Sequence, residues 1–201
     1  MGILISLVVF FTAIIVHEFS HAFAAYRLGD TTAARRGRLT LNPIAHIDPF
    51  GTILLPLLLI LVNSPVLFGW AKPVPIDFRE LHNPKKDMIW VGLAGPLANI
   101  LMALFAALLL KTGLKDYPIF FQILSSVILF NVVLAVFNLI PIPPLDGSRV
   151  LMGMLPIPLA VRLASLEPYG FIILFALIYL GFFNRIILPV VAGIIYLLSL
   201  L

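Results

Sequence analysis

Apolar residues fall in long blocks separated by short polar stretches. Five blocks stand out: Gly2 to about Tyr26, Gly51 to Phe68, Met88 to Leu110, Pro118 to Ile140, and Tyr169 to Leu201, the last interrupted by Asn184-Arg185. A helix rises 1.5 Å per residue and needs about 20 apolar residues to cross a bilayer core. The first, third and fourth blocks meet that length, whereas the second is marginal and contains Pro56. The final stretch reads as two short spans, or as one span plus an interfacial helix; two is the expectation. Between the first two blocks, Arg38-Leu39-Thr40-Leu41 alternates polar and apolar residues, which predicts a short strand. Asn42-Pro43 and Asp48-Pro49 are turn signals. Trp70 and Lys72, within FGWAKPVP at 68–75, read as an interfacial anchor. No repeat or linker divides residues 1–201, so a single domain is expected. The expected fold is an all-α polytopic membrane protein of about five to six apolar helical segments, with a re-entrant or short β element after the first span.

Composition sharpens this picture. Of 201 residues, 62% are hydrophobic and 11% charged, against about 25% charged in a soluble domain, and mean hydropathy is +1.14. The net charge of +4 reports loop orientation in such a chain rather than nucleic-acid binding. With no cysteine, disulfides and thiolate ligands are excluded, so a transition-metal site must use His and carboxylate. Residues 1–16 lack a basic n-region and a clean cleavage site, and read as a retained span rather than a leader.

The chemistry concentrates at His17-Glu18-Phe19-Ser20-His21. Helix positions i and i+4 share a face, so both imidazoles can bind one ion. Glu18 beside them can act as general base in the zincin manner. Zinc lowers the pKa of a bound water to about 7, and a nearby carboxylate accepts its proton. Ionisable groups in a span cost about 2.5–3.5 kcal/mol each, so three within five residues call for a compensating partner such as a metal. A catalytic zinc needs a third protein ligand. Asp146 ends the stretch from Asn138, which holds Pro141, Pro143 and Pro144 and cannot be regular helix. Irregular backbone at membrane depth is tolerated where it lines a polar cavity, which makes Asp146 the expected third ligand. Plainer readings stand beside this one: an intramembrane histidine can bond a neighbouring helix, and Asp146 can cap the helix that follows it.

Taken with HEFSH at 17–21, the motifs GRLTLNP at 37–43, HIDPFGT at 46–52, GWAKPVP at 69–75, AGPLAN at 94–99 and NLIPIPPLDG at 138–147 make the chain resemble the site-2 proteases, intramembrane zinc metalloproteases. The resemblance implies one zinc per chain on His17, His21 and Asp146, with Glu18 as base. It implies a catalytic, oxyanion- or substrate-binding role for Asn138. Asn99, in the Gly95-Pro96-xx-Asn99 motif, is expected first in close helix packing and second in substrate contact. His46 and Asp48 match the family pattern and read as structural. No segment resembles a PDZ domain or a cystathionine-synthase-type nucleotide-binding domain, so regulation is absent or comes from a membrane partner.

Both ligand sets must lie at one depth, so the first and fourth blocks must run in the same direction and Gly51–Phe68 must re-enter rather than cross. Arg27, Arg35, Arg36, Arg38, Lys72, Arg79, Lys85 and Lys86 then share one side, with Lys111 and Lys115 opposite. The positive-inside rule puts the site toward the cytoplasm. The expected substrate is a transmembrane protein in the lipid bilayer, unwound locally and bound by strand addition along Arg38 and Leu39. By resemblance the location is a prokaryotic cell membrane. A transporter using intramembrane His and Asp, and an inactive homologue, are the alternatives.

Overall fold

The computed structural model describes residues 2–54, 57–58, 61–62 and 72–201. Its long helices are α1 (Gly2–Arg27), α3 (Pro84–Lys111) and α4 (Pro118–Asn138), with a single turn, α2 (Thr32–Arg35), between the first two. Shorter helices follow: α5 (Asp146–Met154), α6 (Ile157–Ala164), α7 (Gly170–Tyr179) and α8 (Leu188–Leu200). Proline sets several boundaries. Pro84 and Pro118 open α3 and α4 at positions that need no N–H. Pro141, Pro143 and Pro144 keep α4 from continuing past Asn138.

Side-chain pairs fix the helix directions. His17 meets Asn99 and His21 meets Val91, so α1 and α3 are antiparallel. Gly2 lies against Gln122, and the rings of Phe10 and Phe130 are 5.7 Å apart, so α1 and α4 run in the same direction. The chain leaves α1 and enters α3 at one end of the bundle, where His82 N donates to Leu28 O (2.8 Å). The parallel arrangement that a shared site demands is therefore present. At the opposite end, Lys111 Nζ donates to Ser199 O (3.0 Å), so α8 finishes beside the end of α3.

Packing is inside-out relative to a soluble bundle. On α3, Ala103, Ala106 and Ala107 are buried while Leu97, Leu101, Phe105 and Leu108 face outward. Small residues let helix backbones approach, and large apolar ones face the lipid. Among the described residues, five helical stretches are long and apolar enough to cross a membrane: Leu4–Arg27, Pro84–Lys111, Pro118–Asn138, Ile157–Tyr179 and Phe183–Leu200. The chain is a multi-pass membrane protein. The fourth stretch begins at Ile157, twelve residues before the expected Tyr169. A break around Ser165 and Pro168 divides it into α6 and α7.

The expected strand is corrected. Among the described residues there is no strand, and Arg38–Leu41 is non-helical backbone without a ladder. Several of its polar groups bond elsewhere: Arg38 N donates to Ala33 O, Arg38 Nη2 to Lys72 O and Pro73 O, and Thr40 Oγ1 accepts from Asn42 N. A local bond at Thr40 and long-range bonds from Arg38 stand where strand pairing was expected. Re-entry of Gly51–Phe68 and the anchor role of Trp70 fall largely outside the described residues. Of the described parts of that block, residues 51–54, 57–58 and 61 are helical and Val62 is in a turn.

Candidate metal centre

Two elements carry the histidines and the carboxylate to one point. His17 and His21 sit one turn apart on α1, both buried. Asp146 opens α5, turned inward after the proline-rich stretch. His17 Nε2 lies 3.0 Å from His21 Nε2 and 3.0 Å from Asp146 Oδ2, and His21 Nε2 lies 3.2 Å from that same oxygen. Among the described residues these three form the one His/carboxylate group able to hold an ion.

The Nδ1 atoms show why a cation fits. His21 Nδ1 is 2.7 Å from the carbonyl of Val91, which can only accept, so this nitrogen carries the proton. His17 Nδ1 is 2.6 Å from Asn99 Oδ1, which likewise only accepts. In the neutral rings both Nε2 atoms therefore present lone pairs, facing a third lone pair on Asp146 Oδ2. That oxygen is buried without a hydrogen-bond donor. Three such acceptors in contact repel one another, and a divalent cation reverses the sign. Their separations approach the roughly 3.3 Å edge of a tetrahedron with zinc bonds of 2.0–2.1 Å. Two imidazoles and a carboxylate form a familiar zinc donor set that leaves a fourth position open. Zinc is thus the cofactor that both donors and geometry favour. The alternative reading of Asp146 as a helix cap is not what the carboxylate does, since no backbone N–H within α5 bonds to it.

The wall opposite the imidazoles is α3. A Cβ at Gly95 would fall 2.6 Å from His17 Cε1 and 2.7 Å from His17 Nδ1, and nearer still to His21 Nε2. One turn earlier, a Cβ at Gly92 would stand 3.2 Å from Asp146 O and from Arg149 Cβ. The two glycines make room for the imidazoles and for α5, which is the close packing expected of this motif.

A cavity of about 270 Å³ opens beside the group. Its wall includes Glu18, Asn138 and Arg149, together with Pro73, Val74, Ile76 and Phe78. Residues 72–78 thus form a strap along one side. Val74 N donates to Glu18 Oε2 (2.8 Å), which orients the carboxylate and leaves Oε1 for other work. Asn138 Nδ2 donates back to Leu134 O (3.0 Å), which leaves its second N–H and its oxygen for the cavity. Arg149 pairs with Glu167 (2.8 Å) and lies 5.3 Å above the Phe78 ring, joining α5 to the strap.

The remaining expected residues lie elsewhere. Asn99 is fully buried behind His17 and does not line this cavity. Arg38 and Leu39 are off the cavity wall too: Arg38 Nη2 grips the carbonyls of Lys72 and Pro73, and Leu39 packs on Ala22, Ala33 and Val74. Both support the strap from outside. His46 is buried with Nε2 on Thr40 O (2.8 Å), and Asp48 Oδ1 caps the N–H groups of Phe50 and Gly51, in keeping with structural roles. Sequence reasoning missed Val74, Phe78, Arg149 and Asn131. Only Asn131 left a signal, lying two helical turns before Asn138 on α4.

Comparison with known proteins agrees with this geometry. The chain is 41% identical over 183 residues to YwhC of Bacillus subtilis (strain 168), a protein whose name places it among zinc metalloproteases, covering 87% of this chain and 78% of that one. Rip2 of Mycolicibacterium smegmatis, named likewise, is 33% identical over 171 residues, covering 85% of this chain and 64% of that relative. The zinc metalloprotease MJ0392 of Methanocaldococcus jannaschii is 23% identical over 151 residues, covering 74% of this chain and 33% of that one. No protein-family profile and no solved structure matches the chain. With three lone-pair donors converging inside a bundle of apolar helices, and with these relatives, the chain belongs to the site-2 protease family of membrane zinc metalloproteases.

Proposed function

We propose that this chain is an intramembrane zinc endopeptidase that hydrolyses peptide bonds within or near transmembrane segments of membrane-protein substrates. The observation that carries the reading is the convergence of His17, His21 and Asp146 with Glu18 at a cavity between apolar helices. Zinc held by the three ligands supplies Lewis acidity and an activated water.

The chain's own groups do the rest. Glu18, steadied by Val74 N–H, accepts the proton of the attacking water and delivers it to the leaving amine. Asn138 offers its spare N–H to the oxygen of the scissile carbonyl as charge develops there. A helical substrate hides its peptide bonds in internal hydrogen bonds, so it must unwind to reach the cavity. The unwound segment lies along the strap wall formed by Pro73, Val74, Ile76 and Phe78. Because Arg38 and Leu39 hold that strap, their influence on substrate is indirect.

In this reading residues 1–201 act as one domain with one zinc, in a prokaryotic cell membrane, with the site toward the cytoplasm. The cationic loops at the end of the bundle shared by Arg27 and Pro84 support that orientation. A regulatory membrane partner is compatible with this arrangement, and nucleic acid has no place in it. The test is cleavage of a purified transmembrane substrate in detergent by wild type and by Glu18→Gln. Zinc-loaded Glu18→Gln with wild-type turnover would remove Glu18 from the reaction. Zinc-loaded wild type that cleaves no transmembrane substrate would refute the reading.

A further inference from the structure

Three helices meet in a polar thread behind the metal ligands. On α4, Asn131 Nδ2 donates to Val127 O (2.8 Å). A carbonyl only accepts, so this bond fixes which end of the Asn131 amide points where. Its Oδ1 then faces α3 and accepts from Asn99 Nδ2 (2.7 Å), which also reaches Ala13 O (3.2 Å). That orientation turns Asn99 Oδ1 toward His17 Nδ1 on α1, 2.6 Å away. Asn99 and Asn131 are both fully buried.

We propose that Asn131 and Asn99 are positioning residues for the metal centre, a two-amide relay that sets the tautomer of His17 and so keeps its Nε2 lone pair on the ion. This rests on the metal-centre reading above and extends it to Asn131, two helical turns before Asn138 on α4.

The physical reason is directional. An amide can turn by half a rotation with little change of shape, exchanging acceptor for donor. Without the Asn131 oxygen, Asn99 is held only by its longer bond to Ala13 O. Turned over, it would offer an N–H to His17 Nδ1, which must then accept. The ring proton moves to Nε2, the atom that faces Asp146, and metal binding must first expel it. Buried amides cost stability unless bonded, and these two are bonded in the one sense that serves His17. Groups that orient a metal-bound histidine through its other nitrogen typically change metal affinity by about 10–100-fold.

The experiment uses full-length protein in detergent, labelled with ¹⁵N-histidine. The zinc-free wild type should show His17 as the Nδ1–H tautomer, assigned by comparison with His17→Ala. Asn131→Leu should shift His17 toward Nε2–H and weaken zinc binding about 10–100-fold in competition with a chromophoric chelator. Asn131→Asp, whose acid form can donate to Val127 O and accept from Asn99, should restore both. A wild-type His17 in the Nε2–H form would overturn the relay without any variant. So would an Asn131→Leu protein that keeps the Nδ1–H tautomer and binds zinc within about threefold of wild type. A wild type that shows the Nδ1–H form but binds no zinc would instead overturn the metal-centre reading while leaving the relay standing.

Discussion

Gly95→Ala adds one methyl group at the most crowded point of the site. It would stand 2.6 Å from His17 Cε1 and 2.7 Å from His17 Nδ1, and closer to His21 Nε2. Non-bonded carbon atoms rest at about 3.5–4.0 Å, so both rings must withdraw by roughly 1 Å or the helices must part. Metal–ligand distances are held to about ±0.2 Å, and neither ring can move 1 Å and still bind. The expected loss of zinc affinity is at least about 100-fold, or about 2.8 kcal/mol. Should the helices separate instead, overpacking costs about 1–3 kcal/mol of stability. Gly193→Ala is the control, because a Cβ there meets nothing within 4 Å. Zinc competition and thermal unfolding, each with and without zinc, separate the two responses. Gly95→Ala with wild-type zinc affinity and wild-type stability would falsify the packing account of this wall.

Other outcomes follow from the same geometry. Elemental analysis should find one zinc per chain in wild type and none in His17→Ala or Asp146→Ala, since each variant removes one of the three proposed ligands. Glu18→Gln should retain zinc while its turnover falls by about 10²–10⁴-fold, the usual contribution of a general base. Stripping zinc with a chelator should lower the unfolding temperature, and re-adding zinc to 100 times its dissociation constant should return about 2.7 kcal/mol. A reporter fused at Asn83 should be cytoplasmic; a reporter found on the opposite face would reverse the proposed orientation.

The sequence carried the candidate metal-holding group because its signal is local. His17 and His21 sit at a spacing that only a helix converts into a shared face. Asp146 was legible because three prolines forced irregular backbone into an otherwise apolar chain. The long helices were legible from apolar length, and their boundaries from Pro84, Pro118 and the prolines after Asn138. The strand at Arg38–Leu41 was misread because alternation over four residues is a weak pattern. Arg38 spends its side chain on the carbonyls of Lys72 and Pro73, a contact across more than 30 residues that no local pattern reports.

Chemistry and membrane placement were thus determined by the sequence itself: apolar blocks must lie in lipid, and clustered ionisable groups within one must find a counterpart. Only the tertiary structure decided which groups serve the ligands at second hand. Asn99 read as a packing or substrate residue, and Asn131 drew no reading at all. Their hydrogen bonds, like the Val74 bond to Glu18 and the fit of the imidazoles over Gly95, join segments 32 to 86 residues apart. Hydrogen bonds and steric fit act over a few ångströms of space, and spacing along the chain says nothing of them until the helices are packed.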